Sequence, residues 1–509
     1  MWPRGPLVLA AAAVILAALL RLPFLAERPM HGDEAIQAFK SFSLKATGAW
    51  RYDPELFHGP ALAWLTWPGL ALPGTRTIAD TGEARYRAVP ALCGIALVAL
   101  TPALAGALGA WGAALGALFL AASPVMAYYA RDYIHETPLI LFTIAALAAG
   151  WGYVSTGRLR WLILAGAFTG LAAATKETWV VSLCAAIVAL RVTRRRFLPR
   201  FPHLLAFAAA AAAVFVLLFS GFLTRWDDLP EALRAVPFYT RLGSGGGIHD
   251  HPWYWYLSTL AWTKYGAGPS FTEAAILLLA LAGAGAVIAG RGVPERGLPF
   301  ARFTAFHTLL VAAAYSAIPY KTPWCALQFM AGSCLLAGVG AAWLASLPAS
   351  RTGRTAMAVL VAAAAGHLLW QAHRACFTYA ADNRNPWAYA QPVPDVQRLA
   401  ERIMAVAAAN PAGPPRKDET SPGLYPAGDS TIVKVVTAEQ WPLPWYLRRL
   451  ESVGWWNSLP RDCDAPVVVS SPADEERLAH RLRGRYSVEY YGLRPSVVLV
   501  LRVRSDLAK

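Results

Sequence analysis

Apolar runs of roughly 18–22 residues recur along the chain, each long enough to cross about 30 Å of hydrocarbon as a helix. Most show no polar stripe of the kind a buried core helix carries. The pattern predicts eleven spans, over 7–25, 87–107, 110–129, 138–154, 160–175, 179–191, 203–223, 273–290, 303–319, 325–346 and 355–372. A weaker apolar patch from Ala61 to Leu72 contains Trp64, Trp67, Pro68 and Pro73. It reads as an interfacial or re-entrant helix, because aromatic rings favour the headgroup level. The first run follows Arg4 and continues through Arg21-Leu-Pro-Phe-Leu with no small-residue cleavage pattern, which predicts a retained helix rather than a leader.

Composition sharpens this. With 56% hydrophobic and 15% charged residues among 509, the chain is a polytopic α-helical membrane protein rather than an ordinary soluble one. The net charge of +15 does not point to nucleic acid, because the arginines are spread over short loops and a polar C-terminal region. The six cysteines form no CxxC pair. Cys93, Cys184, Cys325 and Cys334 lie in or beside apolar runs; Cys376 and Cys463 lie in the polar region, where an oxidising compartment would allow them to pair.

The basic residues set the orientation. Arg158/Arg160, Arg191 to Arg200, Arg291/Arg296/Arg302 and Arg351/Arg354 fall in alternate loops that contain no acid but Glu295. The positive-inside rule puts these loops, and the N-terminus, in the cytoplasm. The opposite loops hold Asp33, Glu34, Asp53, Glu55, Asp80, Glu83, Asp132, Glu136, Glu177, Asp227 and Asp228. One face of the membrane therefore carries a concentration of acids. The expected plan is a transmembrane domain over 1–372, with a first outer loop at 26–86 and a long one at 224–271, followed by an extracytoplasmic domain at 373–509.

The long loop holds Gly243-Ser-Gly-Gly-Gly247, His249-Asp250-His251 and Trp253-Tyr-Trp-Tyr256. That combination suits a mobile gate or an aromatic anchor with a flexible linker. In the last part of the chain, Thr431–Val436, Pro466–Ser470, Ser487–Tyr491 and Ser496–Val503 read as strands. Pro394–Ala409 and Ala473–Arg483 read as helices, which gives a small α/β domain. Pro411-Ala-Gly-Pro-Pro415 and Ser421-Pro-Gly are loop signals between them.

Candidate chemistry sits on the acidic face. Asp33 and Glu34 in His31-Gly-Asp-Glu follow the first span directly. Ionisable groups at such a depth are expensive, and functional by default. Transfer of a sugar to a hydroxyl needs a carboxylate to take the proton and donors to meet charge on a departing phosphate. Asp33 and Glu34 can supply the first; equally, they can be an acid pair favoured at a helix N-terminus. Arg131-Asp132-Tyr133-Ile-His135-Glu136, if helical, makes Arg131/His135 and Asp132/Glu136 i,i+4 pairs. These serve either as structural ion pairs or as a second catalytic or metal-binding shell. Asp33, Asp132 and Glu136 are candidate ligands for a divalent cation such as Mg²⁺ or Mn²⁺. Lys176 with Glu177, and Lys321 with Trp324, are outer-face sites that either snorkel to headgroups or hold a lipid-linked phosphate. His58, Arg85 and Arg87 are further candidates. Trp441-Pro-Leu-Pro-Trp445-Tyr446 either docks the outer domain or stacks an acceptor sugar.

The stretches HGDEA, YDPELFHGP, ARDYIHETP, ATKETW and YKTPW together resemble a flippase-activity-associated family. That family is related to the dolichyl-phosphate-mannose protein mannosyltransferases and, through them, to the GT-C glycosyltransferases. These include the lipid A aminoarabinose transferases and the catalytic subunits of oligosaccharyltransferase. The resemblance covers roughly residues 1–345, and WPLPWYLRR at 441–449 adds to it. It implies a GT-C-like fold and a polyprenyl-phosphate sugar donor. It also implies inversion at the transferred carbon, with Asp33 as catalytic acid beside Glu34 and Asp132 as the acid of the next outer loop. No WWD-type motif occurs, so transfer to asparagine is not expected, and several GT-C branches need no metal.

The expected function is transfer of a sugar from a polyprenyl-phosphate donor to a protein, lipid or glycan acceptor, with Arg131, Lys176 and Lys321 on the phosphate and His58, His135, Glu136, Glu177 and Trp324 around the substrate. The expected location is the outer face of the inner membrane, with no nucleic-acid partner. Two rivals are a flippase or transporter of lipid-linked sugars and a non-catalytic protein of envelope-polysaccharide assembly. A transporter calls for polar groups at mid-membrane depth, and here the charges gather at one face.

Overall fold

The computed structural model describes residues 3–53, 58–194, 199–409 and 431–508. The loop signals at Pro411–Pro415 and Ser421, together with Glu55, Arg195 and Arg196, lie outside the described residues. Among the rest, seven helices are long and apolar enough to cross a membrane: Arg4–Arg21, Glu83–Leu108, Glu136–Thr156, Phe201–Phe219, Glu295–Ala317, Pro323–Ser346 and Arg351–Thr378. The other four expected spans fall on shorter apolar helices, Ala110–Ala122, Leu159–Ala173, Trp179–Thr193 and Ala274–Ile288. At 13–15 residues, these reach only about 20–23 Å, short of a hydrocarbon core of about 30 Å. The patch after residue 60 forms the short helix Ala61–Leu70, with Pro68 inside it.

The helix Leu327–Ser346 is the hub of the bundle, packed on both Ala110–Ala122 and Ala274–Ile288. Glycines make that approach close. A Cβ on Gly338 would sit 2.3 Å from the Gly112 carbonyl, and one on Gly340 would sit 2.0 Å from that of Leu279. Small residues at such crossings let backbones meet where lipid supplies no hydrophobic drive.

Two strands, β1 (Thr263–Lys264) and β2 (Ser270–Phe271), pair antiparallel in the long loop. The C-terminal sheet contains β3 (Val433–Val436), β4 (Val453–Trp456), β5 (Val467–Ser470), β6 (Tyr486–Arg494) and β7 (Val497–Arg504), in the order β4-β3-β5-β7-β6. β3 lies parallel to β4 and β5, while β7 is antiparallel to its neighbours β5 and β6. Helix Asp395–Ala409 covers it, burying Val396, Leu399 and Ile403 against Val433, Val469 and Leu501. β4 is not among the expected strands: its Val-Gly-Trp-Trp has a glycine and two tryptophans where the equally short β3 and β5 carry valines. The helix expected over 473–483 is only Glu475–Ala479. Cys376 and Cys463 are buried free thiols, as are Cys93 and Cys334.

The Trp441–Tyr446 stretch docks this domain. Trp445 Nε1 donates to Glu83 at 2.8 Å, and its ring meets Tyr86 and Phe39 edge-on. Arg448 stacks 3.8 Å from the Trp445 ring and donates to the Thr81 carbonyl at 2.7 Å. The sheet domain thus grips Phe39 and the stretch from Thr81 to Tyr86, beside the acid pair.

Candidate active site

The acid pair opens helix Gly32–Thr47, and the cap divides its two members. His31 is the N-cap: its Nδ1 accepts from the Asp33 N–H at 3.1 Å, while its own N–H donates to Glu34 Oε2 at 2.9 Å. This closes a capping box with histidine where serine or threonine is usual. Glu34 is fully buried and takes both Arg87 Nε (2.7 Å) and Nη2 (2.6 Å), plus the Tyr133 N–H at 2.8 Å. Burial alone would raise its carboxyl, but Arg87 and Arg28 overcome that and hold it at about 2. Glu34 is therefore a fixed structural anion. Asp33 points elsewhere. Its side chain is 55% exposed, 3.8 Å from His31 Nδ1, and it lines a cavity of about 410 Å³.

Three loops wall that cavity. His58 and Gly59 precede helix Ala61–Leu70, His135 and Glu136 are the N-cap and first residue of helix Glu136–Thr156, and Lys176 to Thr178 precede helix Trp179–Thr193. The first and third loops meet through the Ala61 N–H, which donates to the Ala174 carbonyl at 2.9 Å. A Cβ on Gly59 would lie 2.2 Å from that carbonyl oxygen, so only glycine allows the approach.

Lys176 is buried and donates to Glu136 Oε1. Burial alone would lower its ammonium, but the Glu136 carboxylate outweighs this and raises it above the usual lysine value. Glu177 accepts from Tyr52 OH at 2.6 Å and pairs with His58 Nδ1 at 2.7 Å. Burial works against its charge, yet the His58 contact and these hydrogen bonds keep the carboxyl below its usual range. His135, buried beside His58 and Lys176, falls well below the usual imidazole value: burial does most of this, and both neighbours add to it. Trp324 completes one wall, edge-on to His31 at 6.0 Å.

Other predicted residues are turned away, and the reason is local. Residues 131–135 form a turn between helices Pro124–Tyr129 and Glu136–Thr156, so the i,i+4 pairs do not form. Arg131 is buried and caps the end of the first helix, donating to the carbonyls of Leu20 (3.1 Å) and Arg21 (3.2 Å). Asp132 is buried against Arg28, and burial pushes its carboxyl up against the pull of that arginine. Neither lines the cavity. The Lys321 ammonium is spent on the carbonyls of His251 and Ile318, with burial lowering it. Arg85 donates to Thr75, and Arg87 is held on Glu34.

Metal ligation fares similarly. Asp33 and Glu136 face the cavity, but Asp132 lies on Arg28 and Glu136 on Lys176. Among the described residues no three His, Cys, Asp or Glu side chains cluster as a metal site would need. The candidate set Asp33, Asp132 and Glu136 is not brought together.

The cavity also contains residues the sequence reading passed over. Gln37 is one turn along from Asp33, and Tyr239 comes from helix Asp228–Gly243 in the long loop, with its OH 3.0 Å from His58 Nδ1. The helical period of 228–243 is the available signal, masked by the glycine run after it. The His249–His251 segment after that run is fastened down: the His251 N–H donates to the Pro319 carbonyl at 3.0 Å, and the Lys321 N–H to the His249 carbonyl at 2.9 Å.

Comparison with solved structures fits this geometry. ArnT from Cupriavidus metallidurans bound to undecaprenyl phosphate matches with a TM-score of 0.65 at 17% identity, covering 99% of this chain and 98% of that one. The chain has the GT-C fold. The apo oligosaccharyltransferase of Archaeoglobus fulgidus agrees with this GT-C assignment, with a TM-score of 0.56 at 14% identity over 99% of this chain and 77% of that one. In sequence, residues 57–219 match the dolichyl-phosphate-mannose-protein mannosyltransferase family model, a stretch that includes His58, His135 and Lys176. No curated protein sequence matches the chain. The fold likeness and the family-model match over residues 57–219 are both in line with the glycosyltransferase expected from the sequence.

Proposed function

We propose that this protein is an inverting glycosyltransferase that moves a sugar from a polyprenyl-phosphate donor to an acceptor on the outer face of the cell membrane. One observation carries the reading. Among the described residues no lysine or arginine pairs with the Asp33 carboxylate, which lines the cavity 3.8 Å from His31 Nδ1, while Glu136 is tied to Lys176 and Glu34 is sealed behind Arg87. A general base needs that freedom, since its lone pair must take a proton as the new bond forms.

In the step itself, the acceptor oxygen attacks the anomeric carbon as Asp33 takes its proton. The bond from that carbon to the phosphate oxygen breaks on the opposite side, and the electron pair leaves with the polyprenyl phosphate. Lys176 is the cation lining the cavity that can meet this charge. Undecaprenyl phosphate in ArnT and dolichol phosphate with a peptide in the archaeal oligosaccharyltransferase are the support for a lipid-linked donor. The acceptor is a protein, lipid or glycan hydroxyl.

Charge distribution supports the orientation, with arginine-rich loops and the N-terminus in the cytoplasm and both the cavity and the 373–509 domain outside, over an inner membrane. Transport is the weaker reading because the acids along the sequence, Glu295 apart, fall in one alternate set of loops rather than within the apolar runs, where a path at mid-membrane depth would need them. The test is incubation of purified protein with anomerically defined polyprenyl-phosphate sugars and envelope extract. Transfer with inversion supports the proposal, whereas retention or no transfer from any donor contradicts it.

A further inference from the structure

Gln37 follows Asp33 by one turn of helix Gly32–Thr47, so the two side chains share a face, about 6 Å apart along the axis. Both line the cavity, but at different depths: the Asp33 side chain is 55% exposed and Gln37 only 6%. Among the described residues none hydrogen-bonds the Gln37 amide, and neither its oxygen nor its nitrogen is sealed off in the interior. An amide this deep is ordinarily bonded within the protein. One left open on a cavity wall takes its partner from what fills the cavity.

The chemistry and the place of that partner both follow from the walls. A primary amide donates and accepts, and so does the hydroxyl of Tyr320, a second neutral group on the walls that no described residue hydrogen-bonds. Both suit a hydroxyl, which also does both. Phosphate oxygens offer only lone pairs, and Lys176 is placed to meet them. Depth decides whose hydroxyl it is. The acceptor reaches the base at the exposed Asp33, and Lys176, 8% exposed, marks the phosphate end. The sugar being transferred lies between the two, and Gln37, the deeper of the pair on the helix, meets that sugar rather than the acceptor.

Resting on the transferase reading above, we propose that the Gln37 amide hydrogen-bonds one ring hydroxyl of the sugar being transferred, which makes Gln37 a specificity-determining residue and the donor a sugar that keeps that hydroxyl free. A site built to bond a hydroxyl rejects the analogue lacking it more strongly than an apolar pocket does, because its own polar atoms are then left unpaired.

The test is calorimetric binding to full-length protein in the Asp33→Asn background, where turnover does not intervene. Undecaprenyl-phosphate hexoses and pentoses are compared first, then the monodeoxy forms of the tightest binder. One monodeoxy form is expected to bind roughly fivefold to a hundredfold more weakly than its parent sugar. Gln37→Met keeps the length of the side chain without its amide; it should weaken the parent sugar by a similar factor and bind the two forms alike. Gln37→Glu, which keeps an acceptor oxygen at the same reach, should restore part of the difference. Thermal melts check that both variants are folded. Equal binding of every monodeoxy form to the protein with Gln37 intact, or undiminished discrimination in folded Gln37→Met, would overturn the assignment and leave the transferase standing. Binding of no phosphate-linked sugar in the panel would overturn both.

Discussion

The Tyr446 hydroxyl of the C-terminal domain accepts a hydrogen bond from the Met30 N–H at 2.8 Å, one residue before the cap of the helix that carries Asp33. Gln391 Nε2 donates to the neighbouring Pro29 carbonyl at 2.8 Å, and Trp441 lies over Gly32. The C-terminal domain therefore holds the approach to the acid pair. Tyr446→Phe removes one such bond, a loss of about 0.5–1.5 kcal/mol. The expected result is a several-fold fall in kcat with donor KM little changed, since the acid moves while the binding wall does not. Steady-state kinetics on donor turnover checks it.

Arg87 and Glu34 form the most fully buried ion pair near the site, with side chains 1% and 0% exposed. Removing one partner strands the other, a cost of about 3–5 kcal/mol in soluble proteins. Arg87→Ala should therefore lower the melting temperature far more than Asp33→Asn does, by differential scanning fluorimetry in detergent. The pH dependence follows in sign. Glu34 titrates at about 2 in the folded chain against an ordinary 4.5. Its stabilising contribution is full above about 4.5 and is lost as pH falls toward 2. Melting temperature should drop across that window, and Glu34→Gln, though less stable at neutral pH, should show a smaller drop.

Lys176 is the cation facing the cavity, so its loss should fall on the donor phosphate. Lys176→Gln is expected to raise donor KM about tenfold or more, the scale of one charge-assisted hydrogen bond. Arg131→Gln, which touches first-helix carbonyls instead, should act on melting temperature and leave KM close to the parent's. Parallel measurement of KM and melting for the two variants separates these roles.

Asp132 belongs to Arg28 rather than to the cavity. Asp132→Asn should consequently lower stability and leave the response of turnover to added Mg²⁺ or Mn²⁺ the same as in the parent. A titration of each cation in both proteins checks this.

Much of the frame is readable in the chain because run length is a direct physical signal: a helix must outlast the hydrocarbon, and the long apolar runs do. The C-terminal strands beyond β4 are legible for a similar reason, since Val433–Val436 and Val497–Arg504 carry β-branched residues in register. The site is only half legible. His31-Gly-Asp-Glu marks a helix start, but which acid is sealed and which is free depends on Arg87, 53 residues on. Arg131 and Asp132 look like ligands in sequence because nothing local announces the turn at 131–135. Their partners, the end of the first helix and Arg28, are more than a hundred residues away. Tyr239 and Gln37 carry no motif at all and enter the cavity only through tertiary packing.

Sugar release from radiolabelled undecaprenyl-phosphate monosaccharides by purified protein, beside Asp33→Asn, decides whether Asp33 is the base. With Asp33 as the base, turnover falls roughly 10²–10⁴-fold in the variant, with donor binding and melting temperature unchanged. Turnover by Asp33→Asn at the parental rate would contradict it.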